Sequence, residues 1–321
     1  MRTELFIRQV FAMMLCASAI ASGSFAGRET PEPKPVPRLQ IVPMPYEQAS
    51  FQRDGVEITR YHFGAGLHRP FLFPVIGPAG QSLTRMGHPH DPESHSHHNS
   101  VWMSHVDVGG VDFWSDRGGG TVRHKRIVKY EDQGEKSSLV AENEWVDKDG
   151  KVLLHETRTV SVVLLDGKEW LLVIDSTFTA KDKPVTLGKT PFGFVGVRMA
   201  KTIGVNDGGG QIRNSEGGVN EKEVLWKQAR WVDYSGTIAS GKVEGITLFD
   251  HPNNPNHPSY FHVRNDGWMG ASLTFDGPRE ITPDKPLHLR YGLYIHSDMK
   301  PAPEIERQWK RFATMPQDPQ K

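Results

Sequence analysis

Six histidines, His88, His90, His95, His97, His98 and His105, fall within eighteen positions of a 321-residue chain that holds fifteen histidines in all. Imidazole can act at neutral pH as acid, base, hydroxyl donor or metal ligand. The cluster therefore offers two chemistries. Neutral rings could move protons and hydrogen-bond a substrate's hydroxyls, with His97 and His98 as candidates. Alternatively, His95, His97 and His105 could hold a divalent metal through nitrogen alone. Residues two apart on an extended backbone point the same way. His95 and His97 are thus expected to share one face and His98 to take the other. The segment carries no helical H-E-x-x-H pattern. Met86 to His98 is polar and contains proline, so it reads as a long loop leading into a strand over Val101 to Val106. Such loops on a rigid β-scaffold commonly carry sites.

A second polar stretch runs from Asp250 to Arg264, with Pro252, Pro255 and Pro258 stiffening a turn-rich loop. His251 and His262 are further acid–base candidates. His262 and Arg264 share a strand face by the period of two. Arg264 and Arg69 are candidates to hold ligand oxygens, since a guanidinium binds such groups in a fork. Trp102 could stack on a sugar ring, whereas most tryptophans of this kind sit in cores. Glu156 and Arg158 read as a salt-bridged outer face, and Arg198 as a ligand clamp or a core ion pair.

Rigid elements must position these groups, and strand signals dominate. Val56 to Phe63 and Lys125 to Tyr130 alternate in polarity. Asp147-Lys148-Asp149-Gly150 and Asp166-Gly167 supply turn chemistry between apolar runs, which predicts hairpins. The 32 glycines and 23 prolines punctuate short segments, and a sustained helical period is missing outside the first residues and the tail. The expected fold is all-β, a large antiparallel two-sheet sandwich. Walker-type, dinucleotide-binding and nucleophile-elbow motifs are absent.

Composition bounds the rest. Lys+Arg and Asp+Glu are both 38, a balance that provides no field for gathering nucleic acid. Arg2 and Arg8, the apolar run Val10 to Ala21 and Ser24-Phe25-Ala26 read as a cleavable signal peptide over residues 1–26. This predicts a periplasmic or secreted protein with no membrane span once the signal is removed. Cys16, the one cysteine, lies inside that signal. The mature part should have no disulfide and no thiolate ligand. Residues 27–38 read as a linker, 39–298 as the sandwich domain and 299–321 as a tail in which Glu304 to Phe312 could form a short helix packing Trp309.

Several strings taken together resemble a known family. They are Arg69-Pro70-Phe71-Leu72-Phe73-Pro74-Val75-Ile76-Gly77-Pro78, His95-Ser96-His97-His98-Asn99-Ser100-Val101-Trp102, Gly110-Val111-Asp112-Phe113-Trp114, and Asp250-His251-Pro252 through His262-Val263-Arg264. In this order, from about Arg69 to His296, the chain is similar to the bacterial family labelled PmoA, or methane oxygenase PmoA. The oxygenase chemistry of that label does not transfer. The methane monooxygenase subunit of the same name is an integral membrane protein, and this chain has no spanning segment after its signal. The resemblance implies a sandwich of the galactose-mutarotase supersandwich kind, in bacteria that degrade polysaccharides. Ser94, Ser96 and Asn99 replace charged neighbours in the family's usual Asp-His-Pro-His-His-Arg string, while His95, His97 and His98 remain.

Three functions remain open on the sequence. The first is an exported enzyme acting on a glycoside or sugar derivative by hydrolysis, elimination or epimerisation. The second is a non-catalytic carbohydrate-binding or scaffold sandwich. The third is a His-ligated metal-dependent enzyme. The first two share an expectation that His97, His98, His251, His262 and Arg264 line one pocket, at one end or on a concave face of the sandwich.

Overall fold

Alternation of apolar and polar residues, interrupted by Asp-Gly turns, builds two large antiparallel sheets. In the computed structural model, which describes residues 35–88 and 90–317, nine strands form the first sheet. Their spatial order is Leu39–Met44, Gln48–Arg53, Val56–His62, Phe71–Val75, Val101–His105, Gly193–Arg198, Trp268–Ser272, Ser259–Arg264 and Lys227–Ala229. Eight strands form the second, in the order Gln211–Asn214, Trp231–Thr237, Val243–Asp250, Leu287–Ser297, Trp170–Ala180, Val152–Leu164, Lys136–Val146 and Thr121–Gln133. The expected two-sheet sandwich is the observed fold. The expected signal and most of the linker lie outside the described residues, and the first strand starts at Leu39. Among the described residues no helix is long and apolar enough to cross a membrane.

The core lies between the sheets. Val101, Met103, Val195, Val197, Phe261, Val263, Met269 and Ala271 from the first sheet meet Val160, Val162, Leu172, Ile174, Ile246 and Leu293 from the second. Each of these faces inward on a strand of period two, so its chain neighbours face outward. On the second sheet the outer face is closed by the helix Ala302–Thr314, which places Ile305 and Phe312 against Val163, Leu171, Val173, Phe249 and Tyr294. Trp309 of that helix donates its indole N–H to the Asp250 carbonyl at 2.9 Å. The expected short helix is therefore real, and longer than the sequence suggested, because Pro301 and Pro303 fit its start.

One expectation is overturned. Glu156 and Arg158 lie on the inner face of the strand Val152–Leu164, both buried, as a bidentate pair at 2.7 and 2.9 Å. Trp145 Nε1 and Ser176 Oγ also donate to Glu156, at 3.0 and 2.9 Å. Period two alone could not tell inner from outer here, because a charged pair is the usual mark of the solvent face. Burial alone would push the Arg158 pKa down, but the Glu156 charge, Tyr61 and their hydrogen bonds together outweigh it and raise it. Removing one partner should leave an uncompensated charge in the core. Glu156→Ala is expected to cost about 3–5 kcal/mol of stability, read as a lowered midpoint in urea unfolding. A midpoint equal to that of the parent protein would show that the pair is solvated.

Candidate functional site

The outer face of the nine-stranded sheet carries the site. Trp102, Gly196, Gly270 and His262 occupy one row across four adjacent strands, since Trp102 pairs with Gly196, and Gly270 pairs with His262. The two glycines leave the sheet surface bare. A Cβ on Gly196 would stand 2.5 Å from the Trp268 ring and 3.0 Å from the Trp102 ring, and one on Gly270 would stand 2.9 Å from Trp268. The indoles of Trp102 and Trp268 use this space, 5.3 Å apart, with Trp114 edge-on to Trp268 at 5.7 Å. His98 stacks on both, at 5.5 Å from Trp102 and 5.3 Å from Trp268.

Above this aromatic floor opens a pocket of about 620 Å³. Its polar lining is His95, His97, His98, Asp112, Thr190, Arg198, His262, Arg264 and Asp266, and its aromatic lining is Trp114, Phe192, Trp226 and Trp268. The segments around His97 and His262 thus meet in one cavity, although 165 positions separate them in the chain. The cavity lies on a sheet face, not at the end of the sandwich.

The expected alternation in the histidine loop fails. Residues 92–97 form turns, and His98 N–H donates to the His95 carbonyl at 3.2 Å, so His95, His97 and His98 all line the pocket. His97 and His98 are edge-to-face at 4.6 Å. Burial, aided by the Arg69 charge, pushes His97 down to about 4. Burial, with the His97 and Arg198 charges, pushes His98 still further down. Burial and then Arg264 bring His262 to about 4. All three rings are neutral at pH 7.

Both guanidiniums of the pocket are ion-paired. Arg198, fully buried, donates to one Asp266 oxygen at 2.9 Å, while His88 meets the other at 2.9 Å. Arg264 sits at the rim against Glu221 at 2.9 Å. Asp112 accepts from the backbone N–H groups of Trp114 and Ser115 and from the Ser115 hydroxyl. Asp266 escaped the sequence reading. Its signal was the Asn265-Asp266-Gly267 turn directly after Arg264, where Gly267 takes φ +96° and lets the hairpin return as the strand Trp268–Ser272.

Three candidate residues are placed elsewhere. His251 lies under the C-terminal helix, edge-on to Phe312 at 5.3 Å, in a loop organised by Asp250 through Asn254, His257 and Ser259. The prolines around His251 mark that structural loop, not a ligand loop. Arg69 is buried behind the pocket wall, donating to Asn99, Asp116, Phe113 and Trp114, so it ties the histidine loop to the Gly110–Trp114 segment and does not line the cavity. Trp102 is floor beneath His98 and does not reach the cavity surface.

The proposed metal triad does not assemble. His105 points to the core side of its strand, like Val101 and Met103, and bonds Thr274 Oγ1 at 2.9 Å and the Asp107 carbonyl at 2.9 Å. Period two puts it opposite Trp102, a signal already present in the sequence. Among the described residues, no group of three or more His, Cys, Asp or Glu stands together to hold a metal.

A family model settles the kinship of this chain. It matches residues 48–310 and describes a family of unknown function, DUF6807. The chain belongs to DUF6807. No curated protein matches it in sequence. Among solved structures, the DUF6807 chain is similar to a protein named as a kojibiose phosphorylase from the human microbiome, at 8% identity and TM-score 0.35, over 88% of this chain and 37% of that one. It is also similar to a GalM/aldose epimerase homologue from C. elegans, at 8% identity and TM-score 0.31, over 80% and 97%. The chain thus spans little more than a third of the length of the first of these proteins.

The neutral histidines carry a consequence for stability. His97, His105, His251 and His262 are each held down to about 4 by burial. An unfolded imidazole takes up its proton near about 6.5. Between those values the unfolded chain binds protons that the fold refuses, so stability falls as pH drops through that window. The melting temperature should be flat above pH 7 and decline steeply from 6.5 to 4. A flat profile across that window would mean the buried rings are protonated in the fold.

Proposed function

We propose that this DUF6807 protein binds and turns over a neutral glycoside or sugar derivative in the pocket on its nine-stranded sheet. One observation carries the reading: three uncharged imidazoles face four aromatic surfaces in a cavity whose two guanidiniums are already ion-paired. A hydroxyl-rich ring offers alternating polar edges and apolar faces, and such a lining complements both. An anion would find no unpaired cation at the rim, because Arg264 is held by Glu221. Trp226, about half exposed at the cavity mouth and near-parallel to His262 at 6.4 Å, is the stacking surface for a sugar face. His97 makes no side-chain hydrogen bond among the described residues, so it keeps a lone pair free to accept a substrate proton, which favours turnover over binding alone.

Calorimetry against a panel of neutral oligosaccharides, with product analysis by chromatography, tests this reading. Trp226→Ala should weaken binding about two- to tenfold, the worth of one stacked aromatic face, and leave the melting temperature unchanged. His97→Ala should abolish product formation and keep binding. Binding without product in the parent protein would convert the assignment to a carbohydrate-binding module.

We further propose that the protein works outside the cytoplasm, on the strength of the charged start, apolar run and Ser24-Phe25-Ala26 site. N-terminal sequencing of the protein from its native host should begin at Gly27. An intact Met1 on the active protein would refute export by this route.

A further inference from the structure

We propose that Trp268 is a positioning residue that fixes His262 as a hydrogen-bond donor toward the ligand. The Trp268 indole Nε1 stands 3.1 Å from His262 Nδ1. An indole nitrogen can only donate. His262 Nδ1 must therefore present its lone pair, and a neutral imidazole then carries its single proton on Nε2. His262 lines the pocket, so the atom it can offer a ligand is Nε2–H. Its other close ring neighbours are Phe192 at 4.9 Å and Trp226 at 6.4 Å, and neither competes for Nδ1. The charged groups around it are Arg264, which disfavours the imidazolium, and Asp266, which favours it less strongly.

Trp268 can impose this state because it cannot turn away. Its ring lies over Gly196 and Gly270, stacks on His98 at 5.3 Å with 15° between planes, and is buttressed by Trp102 and Trp114. Donation to Nδ1 stabilises the neutral ring, since protonating Nδ1 would set two N–H groups against each other. The chemical consequence is definite. His262 recognises an acceptor oxygen, whether hydroxyl, ring or carbonyl, and does not take a proton at the atom facing the ligand. Proton acceptance falls to His97. This consequence rests on the pocket being a ligand site; the lock itself does not.

The test needs no ligand. In the ¹⁵N-labelled full chain, long-range ¹H–¹⁵N correlations should show His262 as a single Nε2–H tautomer at neutral pH. Trp268→Phe keeps an aromatic plate without the N–H. It should give a mixture of tautomers and raise the His262 titration midpoint by about one pH unit. In His262→Met the Trp268 indole proton should move upfield as it loses its acceptor. His262→Gln should restore its position, because the amide oxygen accepts. If Trp268→Phe does not fold, the two His262 variants decide. An Nδ1–H tautomer in the parent protein, or an indole proton unmoved in His262→Met, would overturn the proposal. A locked Nε2–H tautomer in a protein that binds no neutral saccharide would uphold the lock and refute the ligand reading.

Discussion

The site depends on two glycines that face one another across neighbouring strands. Gly196 and Gly270 pair in register at the centre of the nine-stranded sheet, and their missing side chains let indole rings lie directly on the backbone. A Cβ at either position would enter the Trp268 ring at under 3 Å, a contact that packed atoms do not make. The aromatic floor, the stacking of His98 on two indoles and the bond from Trp268 to His262 all follow from that bare patch. Outside it the sheet is ordinary. Its inner face is packed with Val, Ile, Met and Phe, and the strand spacing supplies the rest.

Around this floor the polar groups are fixed by hydrogen bonds and ion pairs within and behind the pocket wall. Arg69 gathers three backbone carbonyls, one amide and one carboxylate behind the wall, which holds the histidine loop and the Trp114 segment in one geometry. Asp266 joins Arg198 of one strand to His88 of the loop. Such paired and buried charges contribute little net stability, but breaking one is costly. Their effect is to give the pocket wall a single arrangement, and that precision is what a hydrogen-bonding site needs.

How much of this was legible in the sequence depended on whether a feature was local. The strand Ser259–Arg264 was readable, because alternation alone put His262 and Arg264 on one face and the core on the other. The turns at Gly150 and Gly167 were readable for the same reason. The histidine loop was not, since an assumed extended backbone separated His98 from His97 while real turns bring them together. His251 misled because proline-rich polar loops look alike whether they frame a ligand or, as here, seat a terminal helix. Arg69 and Trp102 misled in another way. Their residue types suit ligand contact, but only the sheet packing shows that His97, His98 and Trp114 stand between them and the cavity. Glu156 and Arg158 fell to the inner face against the usual expectation for charge, and nothing in local spacing could report that.

The electrostatic character of the pocket limits what kind of selectivity it can have. A site built on an unpaired cation attracts many anions at long range and discriminates weakly among them. Here each guanidinium is already opposed by a carboxylate, and burial keeps His97, His98 and His262 uncharged. Long-range attraction is therefore small, and recognition has to come from short hydrogen bonds and ring contact. Buried polar atoms left without partners cost about 1–3 kcal/mol each. A ligand that places an acceptor oxygen or a hydroxyl where these rings point gains that amount, and one lacking the group leaves the ring unsatisfied. Selectivity then lies in the tautomer and orientation of individual imidazoles. That makes the indole beneath His262, and the two glycines that let it lie there, as much a part of recognition as the residues that touch the ligand.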